Sequence, residues 1–276
     1  MICEQNHEGD GVLKELSVLQ ELTKEKYSSL KTMFDDKYCP TFVYSILDQT
    51  IPGAVYADDQ TFPKSFFIGT ESGIYFIAGD QGNRDFHDFI AGYYEEQVKS
   101  SKRFTLFSSS DTWDSVMKPI LKDDLNQMRR AAFSYQPKSF KKTLQLPKGL
   151  VLKRIDEDII SHSTAFNSAY YEEYWDSVSQ FASKGFGFAV LHGNHVVSEC
   201  TSIFLGHNRA EVDIYTLEEY RGLGLAYCVA NRFIAFCIEN GIVPSWDCDI
   251  CNNSSIALAA KLGFKTVTEY TIYYSG

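Results

Sequence analysis

Apolar and polar residues follow two different periods on either side of a short glycine-containing stretch in the second half of the chain. From Glu211 to Thr216 they alternate, which predicts a half-buried strand with Asp213 on the same face as Glu211. From Ala226 onward the apolar residues recur at helical spacing, which predicts a helix over 226–240. The chain is therefore expected to form a strand, a tight turn and a long helix here.

The turn between these elements, Arg221-Gly-Leu-Gly-Leu-Ala226, has the chemistry of an anion site. The first N–H groups of a helix have no partner within the helix and lie at the positive end of its dipole. Glycines at 222 and 224 remove side chains that would block close approach and permit positive φ angles, while Arg221 adds a cation. For two glycines taken alone, a plain tight connection is the alternative.

Strands and helices also fill the rest of the second half. Strands are expected at 150–155, 186–191, 195–204 and 246–250, and helices at 157–166 and 170–182. The second of these helices carries an aromatic group that consists of Tyr170, Tyr171, Tyr174 and Trp175. Aromatic residues at helical spacing could line a pocket or fill the core.

The first half has short β-rich runs followed by a helix, a strand and a second helix. Strands are expected at 42–45, 54–56, 65–68, 73–78 and 103–107, and helices at 85–98 and from Asp111. Because this order repeats that of the second half, we divide the chain into two α/β domains, 1–140 and 141–276, with a polar linker at 136–143. The first domain is either a degenerate copy of the second or an unrelated α/β domain.

Composition and charge narrow the choice of partners. The chain of 276 residues is 44% hydrophobic, enough for full-sized cores. Its formal charge of −10 argues against binding to nucleic acids or anionic membranes, because both need a cationic surface. The same charge favours cationic substrates.

The cysteines do not form a disulfide framework. Seven of them occur without regular spacing, and several fall at apolar positions of predicted strands and helices. Cys248-x-x-Cys251 could hold zinc or a redox disulfide, but no second cysteine or histidine pair follows it, so no metal is expected. With no signal peptide and no long apolar run, we expect a cytoplasmic protein.

Two motifs in the second half resemble the GNAT N-acetyltransferase superfamily. The first is Arg221-x-x-Gly224-x-Ala226, between the predicted strand and helix, and the second is Asn252 with Lys261-Leu-Gly-Phe264 at the two ends of the last helix. The resemblance covers about residues 146–276 and implies a GNAT fold there, with a mixed, mostly antiparallel sheet and one splayed strand pair. The residues of this region also resemble the subgroup that includes the zwittermicin A resistance acetyltransferase.

The resemblance further implies acetyl-CoA as the co-substrate. The main chain at Thr216 and Leu217 would bind the pantetheine arm in the gap between the splayed strands. The loop that would bind the diphosphate consists of Arg221, Gly222, Leu223, Gly224, Leu225 and Ala226. At the last helix, Asn252 and Ser255 would also bind the coenzyme. In the first half the equivalent loop, residues 79–83, contains an aspartate that would repel a phosphate, so no coenzyme is expected there.

Transfer of an acetyl group to an amine needs a base, and two carboxylates are candidates. Glu211 and Asp213 project from one strand face, and we favour Glu211 because it lies deeper from the glycine loop. The alternative is that both acids lie on a solvated face. Many family members have a tyrosine as the acid in the last helix, but this chain has Ala259 there. Asn252 or Ser255 with a water, or one of three tyrosines near the C-terminus (Tyr270, Tyr273, Tyr274), could replace it.

We therefore predict an acetyl-CoA-dependent N-acetyltransferase that acts on the amine of a small antibiotic-like or polyamine-like molecule. The alternative is a non-catalytic module that binds acyl-CoA as a sensor or an interaction domain, which the missing tyrosine favours. Acetylation of a protein lysine or N-terminus would need an open acceptor groove. A homodimer is one option for the oligomeric state.

Overall fold

The computed structural model describes residues 19–34, 38–121, 125–136 and 146–275. These ranges contain the strands β1 Gln20–Glu21, β2 Gly53–Ala57, β3 Ser65–Thr70, β4 Ile74–Gly79, β5 Thr105–Ser108, β6 Asn126–Tyr135, β7 Leu150–Arg154, β8 Gly187–His192, β9 His195–Gly206, β10 Arg209–Thr216, β11 Val243–Asp249 and β12 Phe264–Tyr274. They also contain the helices α1 Tyr27–Leu30, α2 Thr41–Leu47, α3 Arg84–Lys99, α4 Asp111–Ile120, α5 Glu157–His162, α6 Ser168–Trp175, α7 Val178–Lys184, α8 Leu225–Glu239 and α9 Asn253–Leu262. The strands form one sheet in the order β1-β2-β3-β4-β5-β12-β6-β11-β10-β9-β8-β7.

The two halves of the chain contain the same succession of elements. In the first half β3 and β4 are antiparallel, α3 crosses over to β5, which is parallel to β4, and α4 and β6 follow. In the second half β9 and β10 are antiparallel, α8 crosses over to the parallel β11, and α9 and β12 follow. The predicted fold class, a mixed and mostly antiparallel α/β sheet, is confirmed.

The last strand of each half pairs with the other half. Strand β6 pairs with β11, strand β12 pairs with β5, and the two exchanged strands pair with each other in the middle of the sheet. The sheet therefore continues from one half into the other. The predicted boundary at residue 140 lies outside the described residues, as does most of the predicted linker, and the two-domain division stays a prediction.

The two faces of β10 are covered by different helices. Ala210, Val212 and Ile214 pack in the apolar cluster of α8 and α9. Residues of the opposite face meet the cluster that contains α2, α6 and α7. As the alternation predicts, Glu211 and Asp213 lie together on this second face, towards α2 and α6.

Strands β10 and β11 are paired only at their beginnings. Arg209, Ala210 and Glu211 face Val243, Pro244 and Ser245, respectively. Beyond these pairs β10 continues along β9 as far as Thr216, while β11 continues along β6 as far as Asp249. The two strands separate after the Glu211–Ser245 pair, which confirms the predicted splayed pair.

Two predicted elements are wrong in detail. Residues 42–45, predicted as a strand, lie in helix α2, all seven residues of which are buried. A short apolar run that is buried on every side has no period that separates a helix from a strand. The predicted helix 170–182 is interrupted at Asp176, which has a positive φ of 73°, so that two short helices replace one.

Candidate active site

The glycine turn leaves the N-terminus of α8 open. Gly222 and Gly224 have φ angles of 79° and 76°, and a Cβ atom at either position would meet no atom within 4 Å. The turn is exposed, and Gly224 is the N-cap of the helix. The N–H of Cys228 donates to the carbonyl of Gly224 at 3.2 Å, which is the first hydrogen bond of the helix. The N–H groups of the residues before Cys228 therefore have no acceptor within the helix.

Among the described helices of eight residues or more, α8 alone starts without a side-chain cap. The others start with a side chain that accepts an N–H bond, namely Asn83, Ser110, Asn167 and Asn252. In the first half, moreover, the carboxylate of Asp80 accepts the N–H of Gly82 at 2.9 Å, so the equivalent turn is closed by its own side chains. The turn before α8 has the donors and the space that an anion needs.

Main-chain bonds fix which groups of β10 face the gap between the splayed strands. The N–H of Leu217 donates to the carbonyl of Val197 in β9, and its carbonyl accepts the N–H of Tyr220, both at 3.0 Å. Because main-chain groups alternate in direction along a strand, those of Thr216 and Ile214 point away from β9 towards the gap. Arg221 is held at the end of β10, where its Nε donates to the carbonyl of Thr216 at 3.3 Å.

Asn252 and Ser255 have structural partners at the head of α9. The side-chain oxygen of Asn252 accepts the N–H of Ser255 at 3.0 Å and caps the helix. The hydroxyl of Ser255 accepts the indole N–H of Trp246 in β11, also at 3.0 Å. Ala259, on the next turns, is fully buried in the α8–α9 cluster, where its methyl group packs in the core.

Glu211 is the strongly perturbed acid beside the gap. It is partly buried, and burial together with the nearby carboxylate of Asp247 raises the pKa of Glu211 to about 7. The charge of Arg130 and a hydrogen bond from Thr41 act in the opposite direction. A carboxyl with such a pKa can take up and release a proton near neutral pH, as a general base must.

Asp247 lies opposite Glu211 and is held by three side chains. Its Oδ1 is 2.5 Å from Nε of Arg130 on β6, and its Oδ2 accepts the hydroxyls of Tyr270 at 2.5 Å and Tyr38 at 3.0 Å. The rings of Tyr38 and Tyr270 are stacked with centroids 4.4 Å apart. Of the three C-terminal tyrosines considered from the sequence, Tyr270 reaches the acids, whereas the hydroxyl of Tyr273 donates to the carbonyl of Asp114 in α4.

Asp213 is bound by the aromatic group of α6. The hydroxyl of Tyr170 donates to Oδ2 of Asp213 at 2.9 Å, and burial raises the pKa of this carboxyl. Tyr171 and Trp175 are fully buried in the core below. The aromatic group therefore does both of the things considered from the sequence, because Tyr170 faces an acid while its neighbours pack.

A cavity of about 400 Å³ opens next to these acids. Its walls come from α2, β6, β10, β11 and the start of β12, and they include Tyr38, Thr41, Phe133, Arg209, Glu211 and Asp247. Glu211 lies near the start of β10, and the open N-terminus of α8 follows the end of the same strand.

The chain matches known proteins over most of its length. The family model described as GNAT acetyltransferase matches residues 31–273. The chain belongs to the GNAT acetyltransferase family. Because the match includes most of both halves, membership is not limited to the region after residue 146 in which the motifs occur.

Relatives support the same assignment. The acetyltransferase is 98% identical over 261 residues to the N-acetyltransferase YdfB of Bacillus subtilis (strain 168), covering 95% of this chain and all of the relative. It is similar to the crystal structure of a GCN5-related N-acetyltransferase-like protein from Streptococcus suis 89/1591, with 27% identity, a TM-score of 0.68 and coverage of 90% and 98% of the two chains. A tandem GNAT protein from the clavulanic acid biosynthesis pathway shares the fold at 12% identity, with a TM-score of 0.61 and coverage of 92% and 94%.

Three further observations bear on the predictions for this acetyltransferase. Within the described ranges, no helix combines the length and apolar character that a membrane crossing needs. Those ranges also hold no group of three or more His, Cys, Asp or Glu side chains that could bind a metal ion. Cys248 is buried and Cys251 is exposed, and both thiols are free.

The sequence did not indicate either member of the ion pair in the acidic site. Asp247 lies within the predicted strand 246–250, but nothing in its spacing indicates that it lies near Glu211. Arg130 lies on β6, a strand that was not predicted, and only the pairing of Arg130 with Asp249 in β11 brings it to the acids.

Proposed function

We propose that this acetyltransferase transfers the acetyl group of acetyl-CoA to the amine of a small molecule. The observation that supports this most directly is the placement of two sites on the splayed strands, an open helix N-terminus at one end of β10 and a buried carboxyl of raised pKa at the other. When bound, acetyl-CoA supplies an activated acetyl thioester.

The residues after β10 suit the coenzyme. Amides from Gly222 to Ala226 would donate to its diphosphate, Arg221 would add a positive charge, and Leu223 and Leu225 would contribute main-chain groups. The pantetheine arm would pair with main-chain groups of Thr216, joined by Ile214. Leu217, which was expected to share this role, uses both its main-chain groups within the protein, so its contribution would come from its side chain.

Glu211 would act as the base. An amine enters as an ammonium ion, and Glu211 takes one proton from it, directly or through a water, which leaves a neutral nitrogen with a free electron pair. That nitrogen would form the new bond to the acetyl carbon as the carbon–sulfur bond breaks and the sulfur leaves as a thiolate. The nitrogen would lose a second proton as it becomes an amide, and this proton would pass to the thiolate, directly or through water. Main-chain N–H groups freed by the splay would donate to the carbonyl oxygen.

The acceptor would be a small cationic molecule. The cavity of about 400 Å³ presents two carboxyls, Glu211 and Asp247, against one guanidinium, that of Arg209, together with apolar surface from two valines. This size and charge suit a polyamine or an aminopolyol. The likeness to the zwittermicin A resistance subgroup makes aminopolyol antibiotics the first compounds to test.

The test is release of the coenzyme thiol from acetyl-CoA in the presence of a library of amines. We expect Glu211→Gln to lower kcat/KM by roughly 100-fold or more, as removal of a general base does. Asp213→Asn should have a smaller effect, and Glu219→Gln, an exposed acid on the turn before the glycine loop, should have none. Activity of Glu211→Gln equal to that of the unsubstituted protein would show that Glu211 is not the base. Thiol release that no amine of the library increases would contradict the proposed function.

A further inference from the structure

The ion pair between Arg130 and Asp247 joins the two halves of the chain at the acidic site. Arg130 belongs to β6, the exchanged strand of the first half, and Asp247 belongs to β11 of the second half. The side chain of Asp247 is 6% exposed and that of Arg130 is 24% exposed. Burial raises the pKa of Asp247, and the charge of Arg130 together with the bonds to its oxygens acts against that rise. A buried carboxylate of this kind is stable only if its oxygens are paired.

Both oxygens of Asp247 are occupied. Oδ1 is bound by Nε of Arg130 and Oδ2 by the hydroxyls of Tyr38 and Tyr270, all at 3.0 Å or less. Nε of Arg130 also lies 3.3 Å from the hydroxyl of Tyr270, so the four side chains form one network. Asp247 cannot accept a proton from a substrate without losing bonds that hold it in place.

Glu211 lies in the same cavity without such a clamp. It accepts a hydrogen bond from Thr41, at the start of α2, and Glu211 lines the cavity. When two carboxyls are close together, the one whose charge is paired stays ionised, and the other takes up and releases the proton.

We propose that Arg130 is a positioning residue, which holds Asp247 as the fixed anion of the pair and leaves Glu211 to exchange protons with the acceptor. The inference rests on the proposed function and adds to it a contribution from the first half of the chain. In this view the exchange of β6 into the second half brings to the site a guanidinium that bonds Asp247 directly.

The charges that face Glu211 act in opposite directions. Asp247 from β11 and Asp213 from β10 favour the protonated form of Glu211, while Arg130 from β6 favours the ionised form. Arg209 lines the same cavity, and the phenols of Tyr38 and Tyr270 are neutral because burial keeps their pKa values well above the ordinary value. Removal of Arg130 and removal of Asp247 should therefore move the titration of Glu211 in opposite directions.

The experiment is a carboxyl-carbon NMR titration of the free protein, labelled with ¹³C in glutamate side chains. The signal of Glu211 is assigned as the one that Glu211→Gln removes. We expect Arg130→Gln to move its midpoint upward and Asp247→Asn to move it downward, each by roughly one pH unit. Arg130→Lys keeps the charge and should restore most of the original midpoint.

The chain offers a matched control on the same strand. Arg129 is adjacent to Arg130 but lies on the other face, where it pairs with Glu269 at 2.9 Å in an exposed ion pair. Arg129→Gln should leave the midpoint of Glu211 unchanged. If either single variant does not fold, the double variant Arg130→Gln, Asp247→Asn removes both charges together and should return the midpoint to near its original value.

The outcomes separate this inference from the proposed function, because the titration needs neither acetyl-CoA nor an acceptor. Midpoints that move in opposite directions support the positioning role, even if no amine is acetylated. Midpoints that stay in place, move in the same direction, or respond equally to Arg129→Gln would overturn it. In an enzymatic assay of the same variants, the acid limb of the pH profile of kcat/KM should move in the same directions as the NMR midpoints.

Discussion

Glu211 and Ser245 are the last residues to face each other across β10 and β11. Every later residue of β10 pairs only with β9, and every later residue of β11 only with β6. Glu211, the proposed base, is thus placed where the gap begins, and the glycine loop follows the other end of the same strand. This single strand sets the distance between the acid and the proposed coenzyme site.

The open N-terminus of α8 predicts that coenzyme binding depends on Gly224. Gly224→Ala would add a Cβ to the surface that faces the diphosphate, and we expect the Kd for coenzyme A to rise about 10-fold or more, measured by calorimetry. Gly241→Ala is the matched control, because Gly241 follows the same helix, has a φ of 69° and has equally open surroundings. Both changes should lower stability by about 1–2 kcal/mol through the strain of a positive φ. Equal Kd values for the two variants would contradict the proposed site.

Burial of Glu211 predicts that the protein gains stability when its charge is removed. The pKa of Glu211 rises from an ordinary 4.5 to about 7, so the folded state holds this proton more tightly than the unfolded state does. The stabilisation of the folded state by this proton is complete below the pKa that Glu211 has in the unfolded state. It is lost as the pH rises through the pKa that Glu211 has in the folded state. Glu211→Gln should therefore be more stable than the unsubstituted protein by roughly 1–3 kcal/mol at about pH 8.

Urea unfolding at several pH values measures this effect. The stability advantage of Glu211→Gln should shrink as the pH falls and should be absent near about pH 4, where both states carry the proton. Glu219→Gln, on the exposed turn before the glycine loop, should show no such trend. A constant difference across the pH range would mean that the carboxyl of Glu211 is not destabilised by burial.

The bond between Ser255 and Trp246 predicts a structural part for Ser255. Ser255→Ala would leave the indole N–H of Trp246, a residue 4% exposed, without its partner. We expect a loss of about 1–2 kcal/mol in the free energy of unfolding. Ser254→Ala, at the exposed neighbouring position, should change stability by less than about 0.5 kcal/mol. If Ser255→Ala instead weakened coenzyme binding with no change in stability, its proposed contact with the coenzyme would be its main role.

The burial of Ala259 predicts that the family's tyrosine cannot be restored by one substitution. Ala259 is fully buried in the core, and Ala259→Tyr would force apart α8 and α9. We expect destabilisation by about 3 kcal/mol or more and no gain in kcat. Ala260→Tyr, at the exposed next position, should fold normally. A well-folded Ala259→Tyr protein with increased kcat would show that this position can supply the acid.

Local patterns were enough to predict the central part of the site. The alternation through β10 placed Glu211 and Asp213 on one face, and the glycines at 222 and 224 indicated the turn before α8. Asn252 was placed at the head of the last helix, where it caps α9. Each of these predictions depends on residues within a few positions of one another, because strand alternation, positive φ angles and helix caps are set by neighbours in the chain.

The tertiary structure decided everything that depends on which strands meet. Residues 42–45 form a helix that the sequence did not indicate, because burial on all sides leaves no periodic signal, and from that helix Thr41 reaches Glu211. Arg130 and Asp247 are 117 residues apart in the chain and meet only because β6 pairs with β11. Strand pairing between distant segments is chosen by the packing of the whole sheet, so the composition of one segment does not reveal its neighbour. The sequence by itself determined the elements that carry the candidate base and the glycine loop, and the exchange of strands determined the charges that surround that base.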